Sequence, residues 1–187
     1  MINVILASSS PRRAFLLSAS GLKFKTINPK INENIKEVRP VQLVKKLALL
    51  KSEQVRAKIK TSSIIIGADT VVVIGKKIMG CPKNLKVAKD YLRKLSGKTH
   101  SVYTGVAIVI GKKKIVFSDK TLVTFNKLSE SLLDYYLKNY FVLDKAGGYG
   151  IQEGGILLIR KINGSFSNVM GLPLDKVLSA IAPYLTN

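Results

Sequence analysis

Asn3-Val4-Ile5-Leu6-Ala7-Ser8-Ser9-Ser10-Pro11-Arg12-Arg13 sets a short, mostly apolar run before three hydroxyls, a proline and two arginines. The run over 3–7 fits a buried strand. Ser10 suits a helix N-cap and Pro11 the first helical position, and apolar spacing then carries a helix over 11–20 until Gly21 ends it. A strand that passes through a tight loop into a helix is the unit from which α/β folds are assembled.

The same alternation runs down the chain. A short strand is expected over 23–27, and a polar loop through Glu33 leads to a long helix over 41–60. Residues 64–74 read as one long strand, or as two short ones around Gly67, with a turn at Gly75. A helix over 85–95 carries Leu85, Ala88, Leu92 and Leu95 on one face and stops at Gly97. Two β-branched runs, 99–110 and 115–125, flank Gly111-Lys112-Lys113 and form an antiparallel hairpin. A helix over 130–139 capped by Ser129, a glycine-rich loop, a strand over 156–162 and a final helix over 174–184 complete the pattern, with Ser165 to Asn168 as loop packing. Crossovers and hairpins together predict an α/β fold with a mixed, partly antiparallel sheet flanked by helices. With 187 residues, no repeat and no linker, the chain is expected to be a single domain over 1–187.

Composition narrows the function. At 47% hydrophobic the chain is too apolar for disorder, yet no apolar run approaches the roughly 18 residues of a membrane span. The first residues lack the basic segment of an export signal, and the lone Cys81 cannot form an internal disulfide, so a cytoplasmic protein is expected. One cysteine and one histidine, His100, cannot assemble a zinc site. Any metal must then sit on carboxylates and water, which points to Mg²⁺ or Mn²⁺. Lysine and arginine number 31 against 11 acids, a net charge of +20. That charge suits an anionic small molecule, a nucleic acid or merely a lysine-rich composition, and specifies none of them. Aromatic content of 7% without tryptophan, and no interleaving of basic and aromatic residues, argues against a nucleic-acid-binding protein.

Four places carry chemistry. Ser8, Ser10, Arg12 and Arg13 gather hydroxyls, guanidiniums and helix N-terminal N–H groups after a strand, a set suited to phosphate. Two cations at the positive end of a helix are unfavourable unless an anion joins them. Asp69 interrupts the apolar run 64–74 and is either buried with a cationic partner or turned out at a bend around Gly67. At a strand end it would sit beside a metal or an attacking water. Lys51 falls in the middle of the apolar stripe formed by Val44, Leu47, Ala48 and Val55, where a cation needs an acid or a bound phosphate, unless it snorkels to the helix edge. Around Gly147-Gly148-Tyr149-Gly150, Gln152 offers an amide that can donate to and accept from a base edge; a flexible loop is the alternative. His100 has no nucleophile or metal-ligand spacing and reads as structural.

Taken together, Ser-x-Ser-Pro-Arg-Arg at 8–13, Gly-Ala-Asp-Thr at 67–70, Leu-Ser-Gly-x-x-His at 95–100, Asp-Lys-Ala-Gly-x-Tyr-Gly-Ile-Gln at 144–152 and Val-Met-Gly-Leu-Pro-Leu at 169–174 resemble the Maf family of nucleotide pyrophosphatases. The motifs stand in family order over nearly the whole chain. The resemblance implies a two-lobed fold with a cleft, like that of inosine triphosphatases, and metal-dependent hydrolysis of a nucleoside triphosphate to monophosphate and pyrophosphate. Arg12 and Thr70 resemble the branch acting on dTTP and UTP; the sister branch acting on 7-methyl-GTP carries Trp and Gln there. By that match Asp69 is the proton acceptor, and Arg12, Thr70 and Gln152 select the substrate. Glu33, Arg13 and Lys51 fall on cleft positions, with Glu33 and Asp69 as the expected metal ligands. Two departures stand out. Cys81-Pro82-Lys83 replaces the usual Lys-Pro, leaving Lys83 as the substitute phosphate contact, and Glu153 replaces a small residue, adding negative charge or a metal ligand. A nucleoside triphosphate is thus the expected partner, with no membrane, nucleic acid disfavoured and a homodimer left open. The alternatives are a nucleotide sensor that binds without hydrolysis and a basic nucleic-acid-binding protein.

Overall fold

The computed structural model describes residues 3–32, 35, 37 and 39–185. Strand β1 (Asn3–Ala7) leads into helix α1 (Pro11–Ser18), strand β2 (Phe24–Thr26) and the long helix α2 (Pro40–Arg56). Strands β3 (Ser63–Ile74) and β4 (Lys77–Met79) precede helix α3 (Leu85–Leu95), and β5 (Thr99–Ile110) turns into β6 (Lys113–Phe125). Helix α4 (Glu130–Asn139), the short helix α5 (Gly155–Leu158), strand β7 (Ile159–Asn163) and helices α6 (Phe166–Met170) and α7 (Leu174–Ile181) follow. The sheet is seven-stranded in the order β2-β1-β3-β5-β6-β7, with β4 on β3. Strand β1 runs parallel to β2 and β3, whereas β4 and β7 are antiparallel to their neighbours. A mixed α/β sheet is therefore present, as the alternation of crossovers and hairpins requires. Among the described residues, no helix is long and apolar enough to cross a membrane.

The differences from expectation are local. Residues 64–74 form one strand, so Gly67-Ala68-Asp69 is extended rather than a turn. The expected strand over 156–162 opens instead as α5, and pairing with β6 begins only at Ile159. An apolar run of this length fits either state, and the Gly154-Gly155 pair before it permits a helical start. Ser165 to Asn168 belongs partly to α6, where the Ser165 hydroxyl accepts from the Asn168 N–H at 3.2 Å.

The chain falls into two compact units, Met1–Asp69 with Thr104–Asp119 and Gly171–Asn187, and Thr70–Tyr103 with Lys120–Met170. In the first, Val4 to Ala7 and Ser63 to Asp69 are all buried, as expected of parallel strands covered on both faces. Ile5, Ala7, Ile65 and Val109 pack there with Val55 of α2. Helix α2 lies unusually close to the sheet. A Cβ on Gly67 would stand 2.4 Å from the Ala48 carbonyl oxygen, and one on Gly105 would stand 2.4 Å from that of Val44. Both strands carry glycine where the helix backbone crosses them.

The second unit has its own core. Ala88, Leu92 and Leu95 of α3 and Leu133 and Tyr136 of α4 pack with Val102, Val123, Phe125 and Tyr149. Asn84 caps α3 by accepting from the Val87 N–H at 2.9 Å, and Ser129 caps α4 by accepting from that of Leu132 at 3.2 Å. His100 is buried edge-on against Phe125 and Tyr149, its Nε2 hydrogen-bonded to the Tyr149 hydroxyl at 2.7 Å. It is structural, as expected.

Replacing Gly67 with alanine forces the backbone of α2 away from β3, since the new methyl meets backbone atoms; a loss of about 1–3 kcal/mol, read by urea unfolding, is expected. Burial pushes the His100 imidazole down from 6.5 to about 4. Between those values the unfolded chain takes up a proton that the native state refuses, so stability falls as pH is lowered through this window. Urea midpoints for His100→Asn should fall less steeply over the same window, by a contribution of about 3 kcal/mol in all.

Candidate active site

Two loops' worth of chemistry meet at one end of the parallel pair in the first unit. Ala7, the last residue of β1, stands opposite Gly67 in β3. Beyond Ala7 comes the serine loop, and two residues beyond Gly67 comes Asp69. Carboxyl ends of parallel strands are where open α/β sheets bind ligands, because loops and helix N-termini converge there.

Ser8 organises the loop. Its buried hydroxyl oxygen accepts from the Ser10 N–H at 3.1 Å and from Nη1 of Arg13 at 3.3 Å. Arg13 donates through Nε to the Gly171 carbonyl at 2.7 Å, which ties the start of α1 to the segment before α7. With two donors already on its oxygen, the Ser8 hydroxyl has its proton left to give, and an anion is a fitting acceptor. Ser10 occupies the N-cap position as expected, but its side chain makes no capping bond. No acid lies in the first turn of α1, where Arg12 and Arg13 stand half-buried. The electrostatics of this helix start favour an added negative charge.

Lys51 sits mid-stripe on α2, among buried Val44, Leu47, Ala48, Ser52 and Val55. Its Nζ donates to Oδ1 of Asp69 at 2.7 Å, and the two side chains are only 9% and 10% exposed. Of the alternatives open from sequence, the buried carboxylate with a cationic partner is the one realised. Gly67 and Asp69 lie on the same face of β3, two residues apart, so the glycine that admits α2 also brings Lys51 within reach of the acid.

The remaining expected residues are placed separately. Glu33 lies outside the described residues. Thr70, Lys83 and Gln152 belong to the second unit, Thr70 half-buried and the other two exposed. Lys83 stands in the segment between β4 and α3 near Cys81, which is also exposed. Glu153 does not act as an uncompensated negative charge: its Oε2 pairs with Nζ of Lys145 at 2.9 Å. Lys145 itself was missed. It is buried, donates to Oδ1 of Asp144 at 2.8 Å and also bonds the Phe141 carbonyl. An Asp-Lys pair opening a glycine cluster was the available signal.

No cluster of three or more histidine, cysteine or acidic residues that could hold a metal occurs among the described residues. Asp69, a single carboxylate beside a cationic loop, is not a resident cage. Such a donor set fits a hard cation that arrives on phosphate oxygens, since Mg²⁺ commonly takes one or two carboxylates and completes its shell from substrate and water.

Known proteins resemble the chain throughout its length. The sequence profile described as Maf-like protein matches residues 3–183. A protein of Thermosipho melanesiensis named dTTP/UTP pyrophosphatase is 49% identical over 94% of this chain and 94% of its own. Proteins of the same name from Thermotoga maritima and Bacillus anthracis are 46% and 41% identical, over 94% and 98% of this chain and 86% and 96% of theirs. Among solved structures, a HAM1 protein from Coxiella burnetii shares the fold, with a TM-score of 0.55 at 15% identity over 98% of this chain and 100% of that one.

Removing one partner of the Lys51–Asp69 pair strands a buried charge, so Lys51→Met should destabilise by about 3–5 kcal/mol. Lys51→Met combined with Asp69→Leu should recover most of that loss in the same chemical denaturation, as an apolar pair needs no compensation. A double variant no more stable than the single one would show that the pair is not the element that compensates the burial.

Proposed function

The chain belongs to the Maf family, and on that premise we propose that it is a nucleoside triphosphate pyrophosphatase, a hydrolase that converts dTTP and UTP, and modified pyrimidine nucleotides of the same shape, to the monophosphate and pyrophosphate. The whole chain serves as one pyrophosphatase domain, acting in nucleotide-pool housecleaning in the cytoplasm. The observation that carries this reading is the buried Lys51–Asp69 pair midway along β3, two residues past the end of its pairing with β1 and next to the arginine-bearing loop after β1. The printed names of the relatives from Thermosipho melanesiensis, Thermotoga maritima and Bacillus anthracis support the substrate class. The reading requires one copy of the chain and is compatible with a homodimer.

In this mechanism the triphosphate lies against the start of α1. Ser8 and Ser10 donate to phosphate oxygens, and Arg12 and Arg13 neutralise the charge that builds on pyrophosphate as it leaves. Asp69 accepts the proton of the water that attacks the α-phosphorus, and Lys51 holds that carboxylate in position. Lys83 takes the phosphate contact that the family's lysine at 81 would make, while Thr70 and Gln152 select the pyrimidine. Asp69 and Glu33 would hold a Mg²⁺ or Mn²⁺ ion. When bound, such an ion neutralises phosphate charge and makes the α-phosphorus more electrophilic.

Pyrophosphate release measured over dTTP, UTP, CTP and the purine triphosphates, with and without Mn²⁺, tests the reading. Turnover is expected for the first two, and silence on every pyrimidine would defeat it; nucleotide binding without turnover would instead favour the sensor. Asp69→Asn should lose at least ~100-fold in kcat while keeping a folded far-UV spectrum, the usual cost of a missing general base.

A further inference from the structure

Residues 150–154, the bend that carries Gln152, are held from below by three side chains that none of the roles above employs. The hydroxyl of Tyr136, a fully buried residue of α4, accepts from the Gly150 N–H at 3.1 Å and donates to the Glu153 carbonyl at 3.1 Å. It thereby bridges the backbone on both sides of Ile151-Gln152. Four residues later, just past the end of that helix, the Tyr140 ring packs at a tilt against Tyr136 with centroids 4.9 Å apart. A Cβ on Gly154 would stand 2.4 Å from the Tyr140 ring, so the end of the bend rests directly on that ring. From the other side, Lys145 runs beneath Gly150, where an added Cβ would meet its Cε at 2.8 Å, and its Nζ pairs with the Glu153 carboxylate at 2.9 Å. Ile151 is buried, while Gln152 beside it is exposed.

We propose that Tyr136, with the Lys145–Glu153 ion pair, is a positioning device that fixes Gln152 for reading the nucleobase, and so sets base selectivity in the pyrophosphatase reaction. This rests on the substrate reading given above and deepens it. The physical need is plain. A side-chain amide distinguishes bases only if its donor and acceptor stay in place, and discrimination of this kind arises from polar groups left unpaired by the wrong partner. An exposed glutamine on a bend flanked by glycines would otherwise sample many positions. Glu153, the residue that departs from the family pattern, supplies the side chain that pairs with Lys145, so the departure adds a second anchor to the bend.

The test is a double-mutant cycle on the full chain, with kcat and KM measured separately for dTTP and dATP. Tyr136→Phe should lower the preference for dTTP over dATP by about 10-fold, mainly through KM, as one lost hydrogen-bond bridge allows. In a Gln152→Ala background the same change should alter the preference by less than about 2-fold, because its effect is transmitted through Gln152. Glu153→Ala should act in the same direction and be equally silent in that background. Amide exchange supplies a readout independent of turnover: Tyr136→Phe should speed exchange at Gly150 at least ~10-fold and leave the amides of α3 unchanged. An unaltered preference, an equal effect in both backgrounds, or unchanged exchange at Gly150 would each overturn the positioning role. A wild-type protein inert toward every pyrimidine triphosphate would overturn the substrate reading instead, and the role in base selection with it.

Discussion

The seat of α2 on the sheet governs the candidate site. Where the helix crosses β3 and β5 it meets Gly67 and Gly105, and there is no room for a methyl group at either crossing. Backbone approach at this distance lets Lys51 reach Asp69 from the middle of an apolar stripe instead of from its edge. A lysine there would be a defect without its acid, and an acid inside 64–74 would be one without its lysine. Packing and chemistry thus depend on the same two missing side chains.

A second economy concerns charge. With 31 basic residues to 11 acids, cations outnumber carboxylates almost three to one. The acids that are present are used selectively: Asp69 holds Lys51, Glu153 and Asp144 hold Lys145, and Glu130 and Asp134 hold Lys89 and Arg93 on the outer faces of α3 and α4. The first turn of α1 itself contains no acidic residue. The positive end of α1, with Arg12 and Arg13 in its first turn, is a place where an added anion is favoured.

Much of this was legible in order along the chain. The N-terminal strand-loop-helix, the α3 face and the hairpin at Gly111 are dictated by periodicity and turn chemistry, which are local properties. The Lys51 position also follows from a count along one helix. Other features were not legible. Whether Gly67 marked a turn or a close approach depends on what lies above the strand, and glycine serves both. The run after Gly155 begins helical and becomes a strand only where β6 offers a pairing partner. Lys145 looked like one more lysine in a basic chain, because its burial against Gly150 and Glu153 is a matter of contact and not of spacing.

The sequence by itself determined the class of fold, the family and the residue types gathered for phosphate chemistry, since patterning, turns and motif order are properties of neighbours along the chain. Only the tertiary structure decided which cation answers which acid, that Ser8 is anchored by Arg13, and that Tyr136 bridges the bend bearing Gln152. Those pairings are matters of contact and not of spacing along the chain, and their energies exist only once burial has removed water as the competing partner.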